Sequence, residues 1–209
     1  MASLYFKYAA MNSGKSTQLL QAHYNYFERG MMALAFTADL DDRYGSGKIT
    51  ARIGLDLPAH TYTKETDLFF TIGDVLQKKR VDVILIDEAQ FLTRDQVLQA
   101  ARIVDELNIP VMAYGLKTDF MGQLFEGSEA LLCFADKLEE IKTICWCGRK
   151  ATQTARIDET GAVIRHGDQI SIGGNDQYVS LCRKHYMQGI SKPLLDSEVV
   201  ETLRDSIAV

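Results

Sequence analysis

Proline is scarce in this chain, with three in 209 residues. Together with a hydrophobic content of 46%, that scarcity excludes a proline-rich or disordered chain and indicates a folded globular one. No apolar run reaches the roughly 18 residues that a membrane span requires. The opening "MASLYFKYAA" has no basic segment followed by an apolar one, so no secretory signal is expected and a cytoplasmic location is. Basic residues are outnumbered, 23 against 28 acidic, for a net charge of −5. That balance argues against a general nucleic-acid surface, while leaving room for a local basic pocket. Cysteines are few and unevenly placed at 133, 145, 147 and 182. In a reducing compartment they suit metal ligation for some of them better than a disulfide framework. Internal repeats and low-complexity segments are absent.

What is present reads as alternating strands and helices. "SLYFKYAA" is a short buried strand, "KSTQLLQAHYNYFERG" a helix that Gly30 stops, and "MMALAFTA" a second strand. "VDVILID" (81–87) is almost wholly aliphatic and β-branched, as in a strand covered on both faces. Thr93 and Gln96 form a capping-box pattern that opens a helix from about Arg94 to Leu107, and "IPVMAYGL" supplies a further strand. This succession predicts an α/β fold, a parallel sheet flanked by helices. After about residue 140 the texture shifts to short alternating stretches with several glycines. The expected organisation is a core domain over 1–140, a small module over 141–192, and a charged tail over 193–209.

"AAMNSGKST" (9–17) carries most of a phosphate-binding loop, G-x-x-x-x-G-K-[ST]. Gly14, Lys15 and Ser16 fit, and Ala9 stands where the first glycine belongs. In such loops backbone N–H groups and the following helix dipole hold phosphate oxygens, the lysine reaches the terminal phosphates, and the hydroxyl ligates magnesium. Ala9 is small enough for the turn if its φ is negative. The bland alternative is a chance match in a strand–loop–helix unit.

"VILIDEAQF" puts Asp87 and Glu88 at the end of the strongest strand, where open α/β sheets bind ligands. An aspartate there holds magnesium opposite Ser16, and adjacent strand residues face different ways, so Glu88 is free for a separate role. It could accept a proton from an attacking hydroxyl or position a water; both carboxylates could also merely cap the turn.

Cys145-Trp-Cys147 and Cys182-Arg-Lys-His185 form two close pairs around residues 148–181. Three thiolates and an imidazole suit a closed, structural zinc site, which would make 148–181 a tethered loop able to close over a ligand. Because the ligands lie at both ends of 148–181 and the phosphate-loop and carboxylate motifs all precede residue 91, chain position predicts that zinc loss disables the ligand site under that loop before the nucleotide site. Cys133 is expected to be a small core residue. His23, His60 and His166 have no metal-like spacing.

"AMNSGKST", "IDEAQFL", "YGLKTDF", "TICWCGRKA" and "IGGNDQYVSLCRKHY" together closely resemble the type II thymidine kinases, especially the bacterial branch, over about residues 4–188. The resemblance implies a P-loop α/β domain with a zinc-anchored lasso over the nucleoside, and transfer of the γ-phosphate of ATP to the 5′-hydroxyl of thymidine. It implies Glu88 as proton acceptor. ATP binding falls to Ala9, Ala10, Met11, Asn12, Ser13, Gly14, Lys15 and Ser16 with Asp87, Glu88, Ala89 and Gln90, and Mg2+ to Ser16 and Asp87. Phe120, Gln169, Ile170, Ser171, Ile172, Gly173 and Tyr178 match nucleoside contacts, and Cys145, Cys147, Cys182 and His185 match the zinc ligands. A homotetramer, feedback inhibition by dTTP, and no nucleic-acid or membrane partner are further implications. Ala9, Cys-x-Cys and Cys-x-x-His depart from other branches but resemble the bacterial one. Residue types alone do not select thymine; the nucleoside rests on the resemblance. Arg43 and Arg52 are candidates for a transition-state arginine. The competing readings are a zinc-ribbon P-loop ATPase acting on nucleic acid and a non-catalytic nucleotide sensor.

Overall fold

A computed structural model of the chain describes residues 1–39, 47–169 and 177–192. β1 (Leu4–Ala9) leads through a tight loop into α1 (Lys15–Glu28), beyond which Gly30 takes a left-handed φ of +68°. β2 (Ala33–Ala38) follows, then an antiparallel hairpin of β3 (Lys48–Thr50) and β4 (Asp56–Pro58). After β5 (His60–Tyr62) and α2 (Leu68–Leu76), β6 (Val83–Ile86) ends at the acidic turn. α3 (Arg94–Leu107), β7 (Val111–Leu116), α4 (Glu126–Phe134) and β8 (Lys137–Glu140) complete the larger part.

The six long-range strands form one sheet in the order β5-β2-β6-β7-β1-β8, and every pairing is parallel. Alternation along the strands sorts side chains into two layers. Ala33, Ala35, Val83 and Leu85 join Leu19 and Leu20 of α1 on one face, where the β3–β4 hairpin adds Ile49. Leu34, Phe36, Ile84 and Ile86 join Leu68, Ile72, Val97, Ala100, Ile103 and Leu131 of α2, α3 and α4 on the other. Both faces of β2 and β6 are therefore buried, which is why these segments are apolar but for Thr37. The predicted capping box of α3 is formed: Gln96 N donates to Thr93 Oγ1 (3.2 Å) and Thr93 N to Gln96 Oε1 (3.1 Å).

Several elements carry no clear sequence signal. β8 is the edge strand "KLEE", largely exposed and charged, as edges that avoid pairing with other chains tend to be. α2, "LFFTIGDVL", sets Leu68, Ile72, Val75 and Leu76 on the core at helical spacing, but in a run so short and apolar that it reads equally well as a strand; its start is marked by Asp67, whose side chain accepts from Phe70 N at 2.8 Å. Cys133 is a correction: it lies in α4 and is exposed, not in the core.

The smaller part begins with the β9 (Thr143–Ile144) and β10 (Lys150–Ala151) hairpin. β11 (Gln153–Ile157) then pairs antiparallel with β12 (Val163–Ile164) and β13 (Tyr178–Leu181), and α5 (Arg183–Gln188) closes the module. Much of 148–181 is thus a small sheet and not a free loop, with its own core of Ala151, Ala155, Leu181 and Tyr186 around two cysteines. No helix among the described residues is long and apolar enough to cross a membrane.

Candidate active site and metal centre

Parallel strands end together, so the loops after β1, β2 and β6 meet at one edge of the sheet. The β1 loop turns sharply through two left-handed residues, Asn12 (φ +61°) and Gly14 (φ +81°), before α1 begins at Lys15. Gly14 suits that conformation because it has no Cβ. Ala9 needs no such freedom: it is the last residue of β1, has no positive φ, and packs its methyl into the α1-side core. The loop leaves a pocket lined by Asn12, Ser13, Lys15, Ser16, Asp87 and Glu88 on one side and by Thr37 and the β3 hairpin on the other. Arg52 reaches over it and donates to Asn12 Oδ1.

Inside the pocket the charges are arranged as a buried cluster. Ser16 Oγ donates to Asp87 Oδ2 at 3.0 Å, while Asp87 Oδ1 is buried with no hydrogen-bond partner. Burial pushes the Asp87 carboxyl up to about 7; the Glu88 charge adds to this, and Lys15 and the Ser16 hydroxyl oppose it. Burial also lowers the Lys15 ammonium, against the pull of Glu88 and Asp87. A buried carboxylate with an orphaned oxygen, a hydroxyl beside it and a desolvated ammonium make a site short of a cation and of an anionic ligand.

Glu88 itself has a left-handed backbone (φ +52°, ψ +37°), unusual for a residue with a side chain and typical of functional positions. Tyr62, fully buried on β5, donates its hydroxyl to the Glu88 carbonyl at 2.9 Å. Gln90 donates through Nε2 to Glu88 Oε2 at 2.6 Å. Ala89 and Gln90 are buried beneath the turn and do not line the pocket. Gly127 of α4 sits where a Cβ would lie 2.6 Å from the Ala89 carbonyl, so α4 can press directly on this turn.

The four predicted metal ligands converge. Their ligating atoms lie within 4.8 Å of one another, with Cys147 Sγ 3.9 Å from Cys182 Sγ and Cys145 Sγ 3.5 Å from His185 Nδ1. A tetrahedral zinc with ordinary bond lengths requires sulfur–sulfur and sulfur–nitrogen edges of about 3.8 and about 3.5 Å. The cluster therefore fits a zinc-sized ion with little change. Trp146 stacks on the His185 ring (centroids 4.2 Å apart, 10° between planes) and donates to the Ile190 carbonyl, fixing the imidazole's plane.

Sequence spacing does not reveal how the small module sits. It is bonded directly to the β1 loop: Met11 N donates to Thr154 Oγ1 (3.0 Å), Ser180 Oγ donates to the Met11 carbonyl, and Asn12 Nδ2 donates to the Tyr178 carbonyl (3.2 Å). On the far side of the module, Gln169 donates to Asp119 Oδ2 (3.0 Å), and Tyr186 donates to the Phe120 carbonyl (2.8 Å). Phe120 is buried beneath the Arg156 guanidinium. The metal module thus contacts the β1 loop, through β11 and β13, as well as the Phe120 region. Ile170, Ser171, Ile172, Gly173 and Arg43 lie outside the described residues. Tyr62, Thr154 and Ser180 carry no local motif, and only their long-range contacts single them out.

Comparison with known proteins agrees with this geometry in extent. A family model described as thymidine kinase matches residues 2–186. The thymidine kinase of Aliivibrio fischeri is 56% identical over 192 residues, covering 92% of this chain and all of that one. Those of Pasteurella multocida (56%; 91% of this chain, all of the other) and Haemophilus influenzae (55%; 90% and 97%) are similar to the same degree.

Proposed function

Because the chain belongs to the thymidine kinase family, we propose that the β1 loop and the Asp87–Glu88 turn form its phosphoryl-transfer centre. The protein phosphorylates thymidine, with ATP as phosphoryl donor. The observation that carries the assignment of the centre is the meeting of Lys15, Ser16, Asp87 and Glu88 in one pocket at the strand ends. The loop N–H groups from Ala9 to Ser16 and the start of α1 bind the phosphates, and Lys15 places its charge on the terminal ones. Ser16 and Asp87 would hold Mg2+, for which the unpartnered Asp87 Oδ1 and its neighbouring hydroxyl are a fitting donor pair. Magnesium supplies charge neutralisation on the phosphates.

Glu88 accepts the proton of the 5′-hydroxyl as its oxygen forms a bond to the γ-phosphorus. The bond from that phosphorus to the bridging oxygen breaks, and ADP leaves with the electron pair. Arg52, held over the pocket by Asn12, is placed to meet charge on the transferring group. Phe120, Gln169 and Tyr178, with residues 170–173, receive the nucleoside. Zinc on Cys145, Cys147, Cys182 and His185 is structural, because four protein ligands leave no open position. The division into 1–140, 141–192 and a 193–209 tail, the cytoplasmic location, the homotetramer and inhibition by dTTP belong to the same reading and are supported by the family resemblance.

One assay separates this from an ATPase acting on nucleic acid and from a nucleotide sensor. ATP consumption is measured with thymidine, with single-stranded DNA, and with neither. The kinase reading expects thymidine-dependent ADP formation with one dTMP per ADP. Stimulation by DNA alone, or no consumption in any arm, contradicts it.

A further inference from the structure

Gln90 does something that its place beside the acidic turn does not suggest. It is 2% exposed, and both polar atoms of its side-chain amide are hydrogen-bonded. Nε2 donates to Glu88 Oε2 at 2.6 Å, and Oε1 accepts from the Leu116 backbone N–H, at the end of β7, at 2.9 Å. The second bond orients the first. With Oε1 fixed by a main-chain donor, the amide cannot flip, and its N–H points at the carboxylate. Room for this comes from Gly115: a Cβ there would lie 2.9 Å from both the backbone N and the Oε1 of Gln90. Backbone amides do not give way cheaply, so the glycine is required by close approach.

We propose that Gln90 is the positioning residue for the Glu88 carboxylate, and that Gly115 exists to admit it. The inference rests on the reading of Glu88 as proton acceptor. Glu88 occupies a left-handed backbone conformation that does not define its rotamer, and Tyr62 holds only its carbonyl. Gln90 donates the one side-chain hydrogen bond that the Glu88 carboxylate receives among the described residues. It aims the free oxygen of the carboxylate into the pocket. The other charged or titratable groups facing Glu88 are Asp87 beside it, Lys15 from α1 and the Tyr62 hydroxyl from β5. None of them constrains which carboxylate oxygen faces the substrate. Gln90 thus acts on catalysis through Glu88, without touching ATP.

The test uses full-length zinc-loaded enzyme carrying Gln90→Glu, Gln90→Met or Glu88→Gln. Gln90→Glu keeps the acceptor for Leu116 N and the side-chain size, but sets an oxygen against Glu88. Misplacing a reacting group by about an ångström can cost on the order of a hundredfold. Both Gln90 variants are therefore expected to lose about ten- to a hundredfold in kcat while the KM for ATP stays within about threefold. Should Gln90→Met fail to fold through the unpartnered Leu116 N–H, Gln90→Glu decides alone. A wild-type kcat overturns the proposal, as does a raised KM for ATP with kcat unchanged, which would make Gln90 an ATP contact. Glu88→Gln separates the premise: its retention of activity sinks the proton-acceptor reading itself, whereas an inactive Glu88→Gln beside a normal Gln90→Glu sinks only the positioning role.

Discussion

At the scale of single residues, the site is governed by burial of charge. Asp87 is held near a pKa of about 7 by desolvation, well above its unfolded value near 3.9. Between these two values the folded protein binds more protons than the unfolded one, so this group's contribution to stability falls as pH rises through that window. Asp87→Asn removes the penalty. Without ligands the variant should melt above the wild type at pH 8 and near it at pH 4, while losing Mg2+-dependent ATP binding. An equal melting temperature at both pH values would contradict the buried, uncompensated carboxylate. Ala9 gives a second test. Its methyl is packed in the core of an extended strand end, so Ala9→Gly restores the usual motif without relieving any strain. ATP affinity should change less than a few-fold, and stability should drop by about 0.5–1 kcal/mol for glycine in a strand. A large gain in affinity would show that the alanine had impaired the loop.

At the scale of elements, legibility follows from where the signal lies. β1, β2, β6 and β7 were readable because burial leaves mostly apolar runs, broken only by Lys7 in β1 and Thr37 in β2. α3 was readable because Thr93 and Gln96 lie three residues apart, and the metal ligands because each pair is local. β5 and β8 were not, being short edges with polar residues, and neither was α2, whose helical stripe is masked in a short, almost wholly apolar run. The contacts of Gln90 with Leu116 and of Thr154 with Met11 join residues 26 and 143 apart, and no window along the chain contains them. That second contact makes an element-scale prediction. Thr154→Val preserves bulk but leaves the Met11 N–H without its acceptor, at a cost of about 1–3 kcal/mol. The KM for ATP should rise although Thr154 lies far in sequence from the loop. An unchanged ATP dependence would mean that the β11–β13 sheet does not support the phosphates.

At the scale of the whole molecule, two parts meet at the candidate active site. The α/β sheet presents the β1 loop and the acidic turn; the metal-centred module grips that loop through β11 and β13 and the Phe120 region through Gln169 and Tyr186. Cys182→Ser should therefore lower metal content from about one ion per chain, reduce the melting temperature, and raise the KM for both thymidine and ATP. Retention of metal with normal dependence on both substrates would refute the structural role of the cluster. The central claim is that Glu88 accepts the proton of the thymidine hydroxyl during transfer. Its most direct test is the single-turnover rate of dTMP formation by Glu88→Gln with ATP and thymidine saturating, alongside ATP affinity measured by calorimetry. ATP affinity should stay within a few-fold of the wild type while the transfer rate falls by about 10²–10⁴; a transfer rate above half that of the wild type would contradict the claim.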